Sequence, residues 1–209
     1  VSSTGVIGEV FDPNLIINKI SQINKNTEGN LLDAAKTIMT TDTYPKILVK
    51  KVNINKRNFK IYGFAKGSGM IQPNMGTMLA YIFIEAGVSK NILNKLLKNN
   101  IENTFNSISV DGDTSTSDTL SLFSLNKSNF NFSISKNYKV LEKVLFELMK
   151  ELSLQIVKDG EGLSKLIKVN ILKSKSINQA KNIAFAIVNS PLVKTAISGE
   201  DANWGRIIA

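Results

Sequence analysis

Apolar residues recur at helical spacing in some stretches of the chain and in alternating or continuous runs in others. The clearest helix is expected over residues 138–157, where Val140, Leu141, Val144, Leu145, Leu148, Met149 and Leu152 form one stripe. Ser89 is placed to cap a second helix reaching about residue 105, with Ile92, Leu93, Leu96, Leu97 and Ile101 on one face. A third helix is expected over residues 176–188, and two short ones over 12–24 and 30–39. The first of these follows Asp12-Pro13, a cap and a proline at the first helical position. Residues 47–54 and 58–64 read as strands of a hairpin turning at Asn55-Lys56-Arg57. Further strands are expected at 107–110, 120–125 and 166–172. Residues 77–84 are apolar throughout, and periodicity does not choose between strand and helix there. The elements mix without strict βαβ alternation. The expected fold class is therefore α/β (α+β), a layered arrangement, in preference to a doubly wound sheet.

Composition narrows the possible chemistry. The 209 residues suit one domain or two small ones, and the 43% apolar content is that of a globular protein. No internal repeat or Pro/Gly-rich linker divides the chain. No apolar run is long enough to cross a bilayer, so no membrane partner is expected. The absence of Cys removes disulfides and thiolate zinc sites and fits a cytoplasmic protein. The net charge of +9 admits a basic nucleic-acid-binding module as an alternative. However, the basic residues are mostly Lys in Asn- and Ile-rich segments such as 91–103 and 126–139. Arg, the usual base reader, stands only at Arg57 and Arg206. The preferred reading has no nucleic-acid partner. Both ends, Val1 and Ala209, fall inside motif-like stretches, and the chain reads as an internal fragment.

The chain has neither His nor Cys, so a covalent mechanism must do without a histidine base or a thiolate. Residues 66–80 supply a candidate, because they place Lys66, three glycines, Pro73 and Thr77 between apolar runs. This is not a phosphate loop, which needs Lys at the loop's end. A structural turn is one reading. The other is a self-cleaving Gly76-Thr77 bond, in which the Thr77 hydroxyl attacks the Gly76 carbonyl and the freed α-amine then serves as its base. Residues 111–118 resemble the start of a calcium loop, but Thr116 and Leu122 stand where Gly and Glu are required, and no metal is expected. Asp159-Gly160-Glu161-Gly162 reads equally as a helix terminus or as a ligand contact through Glu161. In Ser3-Thr4-Gly5, a hydroxyl and the next amide are arranged as an oxyanion hole would need, though the pair is a weak signal by itself.

Together these strings resemble the ornithine acetyltransferase family, the bifunctional glutamate N-acetyltransferases of arginine biosynthesis. The resemblance covers 3–8, 38–46, 66–80, 105–107, 110–117, 156–162, 190–196 and 201–207, in order along nearly the whole chain. It implies a layered sandwich with mixed sheets, a self-cleaving N-terminal-nucleophile-like architecture. It also implies a proenzyme cut into pieces, here 1–76 and 77–209, that pair as an α2β2 assembly. Carried over, Thr77 is the nucleophile and Gly76-Thr77 the cleaved bond, with Gly76 where the family usually has Ala. Thr4 and Gly5 are the oxyanion hole, and Thr43, Lys66, Thr77 and Glu161 bind substrate. The implied substrates are N-acetylornithine and glutamate. No cofactor is required, and acetyl-CoA is admitted as a co-substrate. Family members extend beyond both ends of this chain and carry further substrate-binding residues there. A self-processing aminopeptidase or amidohydrolase, with water as the acceptor, is the related alternative.

Overall fold

The computed structural model describes residues 2, 4–6, 8–20, 29–72 and 78–208. Its centre is a four-stranded mixed sheet in the order β1-β2-β3-β4: β1 is Lys46–Ile54, β2 Arg57–Lys66, β3 Leu79–Gly87 and β4 Thr119–Asn129. Strand β1 pairs antiparallel with β2 and β2 with β3, whereas β3 and β4 are parallel. A parallel pair needs a crossover, and α3 (Lys90–Ile101) lies in that connection. The β1–β2 hairpin closes through Asn55 and Lys56, both with positive φ (52° and 64°), the pattern of a two-residue type I′ turn. Arg57, expected in the turn, is instead the first residue of β2 and pairs with Ile54.

One face of the sheet is the core. Val52, Phe59, Ile61, Ala65, Ala80, Ile82 and Ile84 are buried there with Leu141, Leu145, Leu148, Leu152 and Ile156 of α4, the helix Ser135–Lys158. At Gly63 a Cβ would stand 3.0 Å from the Tyr81 carbonyl and 3.3 Å from a Leu152 methyl, so only glycine lets α4 lie this close. The opposite face carries a row of rings, with Tyr62 stacked on Phe83 (centroids 5.5 Å apart) and Phe83 on Phe123 (5.1 Å). Lys66 closes β2 on the side of Tyr62 and Phe64, because alternate strand residues share a face.

Short helices complete the chain: α1 (Pro13–Ile20), α2 (Leu31–Thr37), α5 (Ile177–Asn189), α6 (Pro191–Ser198) and α7 (Gly205–Ile208). Asn30 caps α2 and Ser176 caps α5 with side-chain hydrogen bonds. The last four residues of the first expected helix, 21–24, lie outside the described residues.

Three expectations are corrected. Residues 166–172 form no strand, since Leu166 and Leu172 are exposed and the segment pairs with no described strand. Residues 107–110 are not a strand either. Phe105–Ser107 form a 3₁₀ turn, and the Val110 amide bonds to the Ile71 carbonyl (2.6 Å) outside any ladder. The helix begun at Ser89 stops at Ile101, because Phe105 leaves the helical path to enter the core. For residues 77–84, the structure decides in favour of a strand from Leu79 onward.

Candidate active site

The end of β2 and the loop after it form the floor of the candidate site. Lys66 is fully buried, with Nζ 3.5 Å from Thr40 Oγ1. Burial pushes its pKa below the ordinary lysine value, and nearby Asp42 and Asp118 only partly oppose this. The next residues are tied down one at a time. Gly67 donates its amide to Asp42 Oδ1 (2.8 Å), and Ser68 its hydroxyl to the Asp159 carbonyl (2.6 Å). Met70 and Ile71 donate their amides to the two carboxylate oxygens of Asp111 (2.6 and 3.0 Å).

Beneath this loop lies a buried ionic triad. Lys46 Nζ stands 2.6 Å from Asp42 Oδ1 and 2.6 Å from Asp159 Oδ2, with the Lys46 and Asp42 side chains fully buried and that of Asp159 nearly so. Burial raises the Asp42 pKa, but the Gly67 amide, Lys46 and the Thr40 amide outweigh it and hold the carboxyl below its ordinary value. At Asp159 burial is likewise outweighed, by Lys46 and by two hydrogen bonds from Thr43. Asp159 ends α4, so Lys46 also sits at the negative end of that helix dipole.

Residues 110–119 hold the described positions that precede and follow residues 73–77 in the chain. Before that segment, Val110 and Asp111 hold Ile71 and Met70, and the Thr114 hydroxyl donates to the Gln72 carbonyl (3.1 Å). After it, Asp118 Oδ1 accepts the Met78 amide (2.5 Å), and the Thr119 amide donates to the Met78 carbonyl (2.9 Å). From α5, Asn189 reaches Gln72 Oε1 (2.5 Å).

The residues expected at the site are brought together in part. Gly76 and Thr77 lie outside the described residues; their described neighbours Gln72 and Met78 are the clamped positions. Lys66 ends β2, and Glu161, in the turn after α4, packs against the loop that follows Lys66. The Glu161 amide donates to the Ser68 carbonyl (3.1 Å), and a Cβ at Gly69 would fall 2.7 Å from the Glu161 carboxylate. Glu161 itself is exposed. Thr43 uses both its amide and its hydroxyl on Asp159, so it is anchored to the triad. Thr4 and Gly5 are exposed, and nothing stands within 4 Å of a Cβ built at Gly5. The nearby Ser2 hydroxyl ties this stretch to Tyr81 on β3 (2.7 Å).

Sequence reasoning did not assign roles to Asp42, Lys46, Asp118 or Asp159. All four lie in or beside the strings that carried the resemblance, and that proximity was the available signal. Their pairing was not, since Lys46 and Asp159 are 113 positions apart.

Residues 1–209 match the ArgJ family. Among curated relatives, the protein of Bartonella henselae called arginine biosynthesis bifunctional protein ArgJ is 48% identical over all of this chain and 52% of its own length. Its namesake in Brucella suis is 43% identical over all of this chain, again 52% of the relative. The mitochondrial ArgJ protein of Dictyostelium discoideum is 43% identical over all of this chain and 48% of its length. This chain therefore belongs to the ArgJ family and spans about half the length of the curated relatives it matches.

Proposed function

We propose that the protein moves an acetyl group from N-acetyl-L-ornithine to L-glutamate through an acetyl-threonine intermediate on Thr77, after self-cleavage at Gly76-Thr77. The observation that carries this reading is the clamp of residues 110–119 on both flanks of the segment holding Thr77, beside a buried lysine, in a chain of the ArgJ family. Cleavage leaves Thr77 with a free α-amine. That amine takes the hydroxyl proton as Oγ attacks the acetyl carbonyl. The tetrahedral oxyanion is held by the Thr4 hydroxyl and Gly5 amide, and the ornithine amine leaves with the proton. Glutamate's amine then attacks the ester, the acetyl group departs on it, and Thr77 is restored. Bonds and protons balance with no cofactor. Lys66 suits a substrate carboxylate and Glu161 a substrate amine. Acetyl-CoA is a second acetyl donor in this proposal, in keeping with the word bifunctional in the relatives' names.

The two pieces, 1–76 and 77–209, are proposed to stay joined. The β2–β3 ladder runs from Ile61↔Ile84 to Lys66↔Leu79 and would hold them in one sheet after the cut. An α2β2 assembly and a cytoplasmic location belong to the same proposal. No described helix is long and apolar enough to cross a membrane.

Acetyl exchange by the full-length protein, measured with and without glutamate, tests the reaction class. N-Acetylglutamate should form from N-acetylornithine only when glutamate is present. Release of free acetate at the same rate without glutamate would identify a hydrolase instead. Gly69→Ala probes the binding role of Glu161. The added methyl displaces a flexible carboxylate tip, so stability should hold within about 1 kcal/mol. Loss of one charged contact should raise KM for N-acetylornithine roughly 10–100-fold. An unchanged KM would remove Glu161 from the binding set.

A further inference from the structure

We infer that Asp118 is a positioning residue for the nucleophile proposed at Thr77, holding the peptide link between Thr77 and β3 with a charged acceptor. This inference rests on the Thr77 reading. Asp118 Oδ1 accepts the Met78 amide at 2.5 Å, and the Thr119 amide holds the Met78 carbonyl at 2.9 Å, so residues 118–119 fix both backbone groups of Met78. The Met78 N–H belongs to the planar peptide unit that joins it to Thr77. Restricting that unit restricts the attachment of whatever Thr77 presents to a substrate. The second oxygen, Oδ2, is buried with no hydrogen-bond partner among the described residues. A buried carboxylate left half-satisfied costs stability, which is the pattern of a group kept for function.

Charge is the distinguishing property of this clamp. An ionised acceptor binds an amide about twice as strongly as a neutral one. Burial raises the Asp118 pKa to about 6, against the lowering effects of the Met78 amide and of Lys66 at the end of β2. Asp42 and Lys46 lie behind Lys66 and act on it in opposite directions. Asp118 therefore gains its charge as pH rises through about 6, and the clamp tightens as it does so.

The test is a graded series in the full-length protein, with kcat, KM and the pH profile as readouts. Asp118→Asn keeps the shape and a neutral acceptor. It should lower kcat roughly tenfold with KM within about twofold, and it should remove the part of the acid limb near pH 6 that Asp118 contributes, leaving the part set by the Thr77 α-amine. Below that limb the wild type should fall to the level of Asp118→Asn. Asp118→Ala removes the acceptor altogether and should cost on the order of 10²-fold in kcat. Unchanged kcat in Asp118→Asn, or a pH profile of kcat in it with the same acid limb as the wild type, would overturn the inference. Should Asp118→Ala fail to fold, the Asp-to-Asn comparison decides alone. Thr77→Ala separates this inference from the reading beneath it. An inactive Thr77→Ala beside a normal Asp118→Asn refutes only the role of Asp118. An active Thr77→Ala refutes the nucleophile itself.

Discussion

Thr77→Ala is expected to leave the full-length protein as one uncut chain and to lower acetyl transfer roughly 10⁴–10⁶-fold, the loss seen when an activated nucleophile is removed. Both effects have one origin. The same hydroxyl opens the Gly76-Thr77 bond and later carries the acetyl group, so no other substitution should remove cleavage and turnover so completely. Thr77→Ser, which keeps the hydroxyl, should retain both at reduced rate. The fold should survive in each variant, because the described residues of the β2–β3 ladder and of the α4 core are left unchanged. Gel analysis of the purified variants together with an exchange assay checks all of this. Substantial turnover by Thr77→Ala would exclude the covalent mechanism.

Lys46→Met should be the most destabilising single change in the site, at about 3–5 kcal/mol, because it strands two buried carboxylates. Asp42 would keep the amides of Gly67 and Thr40, and Asp159 the two donors of Thr43. Neither set replaces a buried cation. The pH dependence has a definite sign. In the wild type, both carboxyls are held below their ordinary value of 3.8. Their stabilising contribution is therefore fully present above about pH 4 and is lost as pH falls through the lowered values. In Lys46→Met the largest remaining influence on each carboxyl is burial, which favours the neutral form. The deficit should be widest at neutral pH and narrow toward pH 4, where the stranded groups take up protons. Urea unfolding of both proteins at pH 7 and pH 4 measures it. A deficit that stays constant or widens toward acid would contradict the triad's role. Gly67 and Thr43 hang on this triad, so catalysis should weaken even where the variant is folded.

The regular elements were legible because local pattern decides them. The α4 stripe, the face of α3 and the β1–β2 hairpin each follow from spacing, and each is present. Helix α6 carries a readable signal in Ser190-Pro191, a cap with a proline at the first position, although the sequence pattern alone announces no helix there. Residues 166–172 misled for the opposite reason. Their apolar residues look like a strand, yet a strand needs a partner, and Leu172 stays exposed. At the site, Lys66 and Glu161 could be named from their strings, and the structure sets the Glu161 turn against the loop that follows Lys66. The groups that hold that loop could not be named. Asp118 lies 40 positions from Met78, and Asp159 lies 116 from Thr43. Such pairings arise from tertiary packing, which leaves no periodic trace in the chain.

The central claim is a covalent acetyl group on a threonine freed by self-cleavage. Intact-mass analysis of the full-length protein, before and after brief exposure to N-acetylornithine without glutamate, tests it most directly. Two pieces should be found beforehand, the second beginning at Thr77. That second piece alone should gain one acetyl group and lose it when glutamate is added. A single uncut chain that is fully active, or a cut protein that turns over without ever carrying an acetyl group, would contradict the account.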